Sequence, residues 1–195
     1  MRYNRKKDKL METITHTQFL NPQKVLQLAG VASGDRVADF GCASGYFSFP
    51  CAHIVGEEGH VTAIDVLPHV LSAVESEAQR TGVRNITTRH ANLEVPRGSG
   101  LEDASVDWVI MKNVLFMSTD RDGMMAEAAR VLVPGGKALV VEWNSTVKPG
   151  MGPVADKRIT VDSVRALAEA HGLTFVTNVS AGDYHYGMIF AKEEV

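Results

Sequence analysis

The segment Val37-Ala38-Asp39-Phe40-Gly41-Cys42-Ala43-Ser44-Gly45 places an acid and two glycines around small residues, and a second acid, Asp65, closes the apolar run Val61-Thr62-Ala63-Ile64 further along. Gly41 and Gly45 lack a Cβ, so the main chain between them can take positive φ and let a ligand come close. Unpaired amides that open a following helix would favour an anionic group over Gly41 to Gly45 by about 0.3–1 kcal/mol. A carboxylate at a strand end, here Asp65, can accept hydrogen bonds from both hydroxyls of a ribose. The plainer role for Asp65 is to cap the helix that begins at Pro68. Glycine turn and acidic strand end together are a stronger signal than either alone, and they describe the nucleotide-binding half of an open α/β sheet.

The kind of nucleotide follows by exclusion. A dinucleotide fingerprint needs G-x-G-x-x-G, but its second and third glycine positions are Ala43 and Tyr46 here. A phosphate loop ending in G-K-[ST] is absent, which argues against nucleotide triphosphate hydrolysis. Asp39-Phe40-Gly41-Cys42-Ala43-Ser44-Gly45 resembles motif I, D-x-G-x-G-x-G, of the class I S-adenosylmethionine (SAM)-dependent methyltransferases, with Ala43 in place of the middle glycine. The resemblance runs from about Phe19 to Lys192 and is nearest in flavour to the ubiquinone/menaquinone-biosynthesis C-methyltransferase group.

What the resemblance implies can be given residue by residue. SAM is the expected cofactor, with Asp39, Gly41, Cys42, Ala43 and Gly45 forming its turn and Asp39 acting chiefly to fix that turn. Asp65 matches the ribose-binding acid, and Val66 and Leu67 follow it, Leu67 as the apolar neighbour of adenine. Asn92-Leu93 occupy the place where such enzymes often carry an aspartate for the adenine amino group, so the charge is missing here. Val106–Leu115 resembles motif IV, with Asn113 placed to position the methionine part or the acceptor, and Ala129–Gly136 resembles the R-V-L-x-P-G-G turn before the fifth strand.

Alternating apolar runs and amphipathic stretches place strands near 36–40, 61–65, 86–90, 106–111, 136–143, 174–180 and 184–191, with helices near 45–56, 68–81, 120–132 and 161–171. Asn21-Pro22 read as the cap and first residue of a helix running through Leu28. The expected fold is α/β and doubly wound: a mostly parallel seven-stranded sheet with an antiparallel last strand, the Rossmann-like methyltransferase fold, in a single domain. Only Ala181-Gly182-Asp183 separates the last two runs, so they form a hairpin whose turn lies at the ligand rim.

The rim then displays Asn113, Glu142-Trp143-Asn144 and the start of the returning strand, Tyr184-His185-Tyr186. His185 is the first candidate for a catalytic base, because an unperturbed imidazole exchanges protons near neutrality. Glu142 is the second. The alternatives are a sheet-end hydrogen bond for His185 and a loop contact for Glu142. Trp143 and Phe116 can line an apolar acceptor pocket, and Phe19 can fold over the rim as part of a lid.

The 195 residues, 45% hydrophobic and 22% charged, suit one compact domain. No apolar run approaches the length of a membrane span and the basic amino terminus lacks a secretory apolar segment, so the expected setting is soluble and cytoplasmic. Arg2, Arg5, Lys6, Lys7 and Lys9 against Asp8 make the start of the chain basic within a net charge of −3. We therefore divide the chain into a basic arm and possible lid, 1–20, and a SAM-dependent methyltransferase domain, 21–195. Cys42 and Cys51 lack metal-ligand spacing, so no metal site is expected, and they do not suit the multi-cysteine chemistry of arsenite methylation.

These features predict methyl transfer to a small or medium organic acceptor by direct in-line displacement, which requires no dedicated nucleophile or metal. The alternatives are a methyltransferase acting on a protein side chain or RNA, guided by the basic arm, and a SAM-binding protein without turnover. Asp65→Ala is expected to lose the ribose bonds with little loss of folding.

Overall fold

The computed structural model describes residues 18–145 and 151–194. The basic arm therefore lies outside the described residues, apart from 18–20 at its boundary. Helix α1 (Pro22–Ala29) starts where the sequence places it: Asn21 Oδ1 accepts from the Lys24 amide at 3.0 Å, and Gly30 closes the helix in the left-handed region. The chain continues through β1 (Arg36–Phe40), α2 (Ser48–Val55), β2 (His60–Asp65), α3 (Pro68–Thr81), β3 (Ile86–His90) and β4 (Val106–Lys112). It finishes with α4 (Arg121–Val131), β5 (Leu132–Trp143), α5 (Val161–Ala170), β6 (Leu173–Val179) and β7 (His185–Lys192).

The seven strands form one sheet in the order β3-β2-β1-β4-β5-β7-β6. β7 runs antiparallel to both β5 and β6, while the pairings among β1 to β5 are all parallel. The order reverses between β1 and β4, and at such a switch point a crevice opens beyond the carboxyl ends of the strands.

Alternation along the strands builds a core on each face. Val37, Ile110, Leu139, Val141 and Ile189 face α1 and α2, packing with Val25, Leu26, Cys51 and Val55. Ala38, Phe40, Val109, Met111, Val140 and Phe190 face the other way, onto Met125 and Ala128 of α4 and Val164 and Ala168 of α5. α3 packs Leu71 and Val74 on Ala63. Continued one step toward the rim, the first face carries Asp39, Lys112, Trp143 and His185, so the packing of the core also sets the polar residues of the site.

Two sequence expectations shift. β5 begins at Leu132, not 136, because the Pro134-Gly135-Gly136 turn forms an irregularity inside the strand: Val106 pairs with Leu132, and Trp108 with Lys137. The helix after the glycine turn begins at Ser48 rather than 45, since residues 43–47 wind as turns.

Candidate active site

The glycine turn is held by β2. Gly41 and Cys42 amides both donate to Ile64 O, at 2.9 and 3.0 Å, and the Ala43 amide donates to Asp65 Oδ2 at 3.0 Å. These three amides are consumed within the protein and hold the turn in place. Ala43 itself takes φ 47°, a left-handed conformation stabilised by the Asp65 bond. Gly41 has φ 75°, and a Cβ there would lie 2.6 Å from Val114 Cγ2, so the β1 and β4 turns pack against each other only because residue 41 has no side chain.

Asp65 also holds the local backbone. Its Oδ1 accepts from the Leu67 amide at 3.0 Å while Oδ2 holds Ala43, so one carboxylate fixes the shape of both turns flanking the crevice. Each oxygen keeps a further lone pair for a diol. Beside it lies a cleft of about 440 Å³ lined by Gly41, Ala43, Asp65, Val66, Leu67, Asn92, Leu93, Val114 and Met117. Val66, Leu67 and Met117 are large apolar side chains left exposed together at its mouth. Asn92 spends its Oδ1 on the Glu94 amide at 3.0 Å. Glu94, which the sequence analysis did not single out, accepts from Ser118 Oγ, Thr119 N and Thr119 Oγ1 and ties the β3 and β4 ends together. Those hydrogen bonds hold its carboxyl down at about 2.

A second cleft of about 280 Å³ shares Gly41, Ala43 and Met117 with the first and continues past Asp39, Tyr46, Lys112, Asn113, Phe116 and Trp143. Asp39 is buried and accepts from Ser48 Oγ at 2.6 Å, capping the start of α2 from the neighbouring strand. Burial pushes its carboxyl up to about 6, against the opposing pull of Ser48 and Lys112. Lys112 was also missed; its signal was a lone charge ending the apolar run of β4. Burial lowers the pKa of its ammonium.

Asn113 sits at φ 53°, where the chain leaves β4, and its amide donates to Val141 O at 2.8 Å. Its carboxamide is oriented so that Oδ1 accepts from Lys112 Nζ at 3.0 Å, Trp143 Nε1 at 3.2 Å and His185 Nε2 at 3.2 Å. This arrangement requires the Nε2–H tautomer of His185 and leaves its Nδ1 buried without a partner. Burial, reinforced by the Lys112 charge, pushes the imidazole down to about 4. The poise near neutrality expected for a free histidine is therefore corrected: His185 is neutral at physiological pH.

Glu142 points through the sheet to the opposite face. It is fully buried, and Oε1 accepts from the Leu115 and Phe116 amides at 2.9 and 3.3 Å, while Oε2 has no partner. Desolvation raises its carboxyl to about 7. Neither Glu142 nor His185 lines either cleft. Both shape the turn that Asn113 begins.

The rim is closed by two segments. Gln18 N donates to Asp183 Oδ2 at 2.8 Å and Asp183 N to Gln18 O at 2.9 Å, stitching the chain before α1 to the β6–β7 turn. Phe19 lies on Tyr184 with ring centres 5.5 Å apart, while Tyr46 Oη donates to Leu20 O. On the other side Gly152 sits against the Trp143 ring, with no space for a side chain.

Cys42 and Cys51 are buried free thiols with pKa values pushed up by burial. Among the described residues no group of three His, Cys, Asp or Glu side chains could hold a metal, and no helix is long and apolar enough to cross a membrane. A broader recess of about 730 Å³ lies at the opposite ends of the strands, where Asn85 spends its amide donors on Ala52 O and Gly56 O.

The family described as Methyltransferase domain matches residues 32–179. Aklanonic acid methyltransferase DauC of Streptomyces sp. (strain C5) is 31% identical over 122 residues, covering 62% of this chain and 54% of that protein. Ubiquinone/menaquinone biosynthesis C-methyltransferase UbiE of Haemophilus ducreyi is 33% identical over 132 residues, covering 67% and 48%. The chain thus spans about half the length of these relatives. In fold, it is similar to the crystal structure of a SAM-dependent methyltransferase from Aquifex aeolicus, with TM-score 0.81 and 22% identity over 97% of this chain and 99% of that one.

Proposed function

The chain belongs to the SAM-dependent methyltransferases, and from that premise we propose that it transfers a methyl group to a small or medium organic acceptor by direct in-line displacement. When bound, SAM supplies a methyl group on a sulfonium, already activated toward a nucleophile and attached to a good leaving group. The single observation that carries the site assignment is the meeting of two clefts at Gly41–Ala43.

The residues present fit the cofactor. Asp65 offers two carboxylate oxygens at the edge of the larger cleft for a ribose diol, and Val66, Leu67, Leu93 and Met117 line an apolar surface for a purine. In the smaller cleft Phe116, Met117, Tyr46 and Trp143 line the space beyond Asn113 with apolar surface. Alignment in a dry pocket is the main demand of this chemistry. Asn113, held by three donors, is the polar group that orients a ligand there. With His185 neutral and engaged and Glu142 sealed away, acceptors that need no strong protein base suit the site best.

A small-molecule acceptor is supported by the modest volume of the second cleft and by relatives whose names specify such reactions. The basic residues among 1–10 favour a second reading, a protein or RNA acceptor steered by charge. Purified protein incubated with methyl-labelled SAM and size-fractionated cell extract tests both. Label in the small-molecule fraction, unaffected by deleting residues 1–10, supports the first reading; label in protein or RNA, lost on that deletion, replaces it. Calorimetry that finds NADH bound in preference to SAM would remove the methyltransferase assignment altogether.

A further inference from the structure

Lys112 is the last residue of β4 and lines the smaller cleft at half burial. Among the described residues it forms no ion pair. Its ammonium is held between Asn113 Oδ1, 3.0 Å away, and the Tyr46 ring, whose centre is 5.5 Å away. A partly desolvated cation whose direct contacts are a neutral oxygen and a π face is costly to maintain. Asp39, near the end of the neighbouring strand on the same face, lines the same cleft and is likewise buried with a neutral partner, Ser48. The two opposite charges thus face one cavity without touching each other.

A ligand end bearing an ammonium and a carboxylate close together complements that layout. The amino-acid end of SAM is such a group, and the shared wall at Gly41–Ala43 leads it there once adenosine fills the larger cleft. We infer that Lys112 anchors the carboxylate of the cofactor's amino-acid end, opposite Asp39, and so selects ligands that carry that carboxylate. This rests on the cofactor reading above. The other charge near Lys112 is Glu142, which lies on the far face of the sheet and cannot reach the cavity.

Calorimetric titration of the full chain tests the inference with three probes: S-adenosylhomocysteine, decarboxylated SAM and 5′-methylthioadenosine. Lys112→Met is expected to weaken S-adenosylhomocysteine tenfold or more, while the two probes without a carboxylate change by less than twofold. Lys112→Arg, which keeps the charge, should recover most of the lost affinity. Equal weakening of all three probes would mean a merely structural role and overturn the inference, as would unchanged S-adenosylhomocysteine binding. If the unaltered protein binds 5′-methylthioadenosine but not S-adenosylhomocysteine, the inference also fails. Failure to bind any of the three overturns the cofactor reading and the inference with it.

Discussion

Trp143 and His185 are paired across β5 and β7, their rings stacked at a 34° tilt with centres 4.2 Å apart, and both donate to the same oxygen of Asn113. The imidazole is therefore a spacer and a donor. Its folded pKa of about 4 lies below the ordinary 6.5, so its contribution to stability is full above about pH 6.5 and is lost as pH falls through 4. Nitrogen-detected NMR should find His185 neutral and protonated on Nε2 at pH 6. A titration midpoint near 6.5 would restore it as a candidate base.

Glu142 has the opposite sign. Its folded pKa of about 7 exceeds the ordinary 4.5, so the fold is relatively favoured at low pH and loses stability as pH rises from about 4.5 through 7. The full penalty above pH 7 is on the order of 3 kcal/mol. Glu142→Gln keeps an oxygen for the Leu115 and Phe116 amides and removes the buried charge. Scanning calorimetry should show it melting above the unaltered protein at pH 8, with the gap closing below pH 5. A gap independent of pH would refute the titration as its cause.

Asp65→Ala should weaken S-adenosylhomocysteine by more than tenfold and, contrary to the sequence expectation, also destabilise the protein. The Ala43 and Leu67 amides would both lose their acceptor, at about 1–3 kcal/mol each where burial persists. Denaturant unfolding measures the second effect. A stable variant with lost affinity would show that Asp65 serves the ligand alone.

At Gly41 the prediction is steric. Gly41→Ala puts a Cβ in a left-handed residue and against Val114, and should cost about 1–3 kcal/mol. Adding Val114→Ala should return part of that loss in unfolding experiments. No recovery at all would place the whole cost in the backbone angle.

The order of strands and helices was legible because each strand has an apolar run and each helix a punctuating residue, such as Asn21 and Gly30 for α1. The antiparallel hairpin was legible from its short Gly182 turn. The destination of individual polar atoms was not. Sequence spacing places Asp65 at a strand end but cannot show that Ala43 and Leu67 already occupy one lone pair on each oxygen. Glu142 and His185 are both placed at the rim by the sequence, yet strand alternation sends Glu142 to the opposite face and draws His185 under Trp143. Lys112 stayed hidden inside a motif noted for its apolar residues, because only the folded sheet sets it beside Asp39.

Much of the Asp65 end of the crevice comes from β1, β2 and the turns after them, which are close in sequence, whereas His185 meets Asn113 across 72 residues. Closing short loops costs less chain entropy than closing long ones. The half of the crevice beside Asp65 can therefore take shape while β7 is still undocked, and the wall beside Asn113 is completed only when that strand inserts between β5 and β6. During synthesis, the strands that carry Asp65 and the glycine turn emerge well before the strand that brings His185 to Asn113.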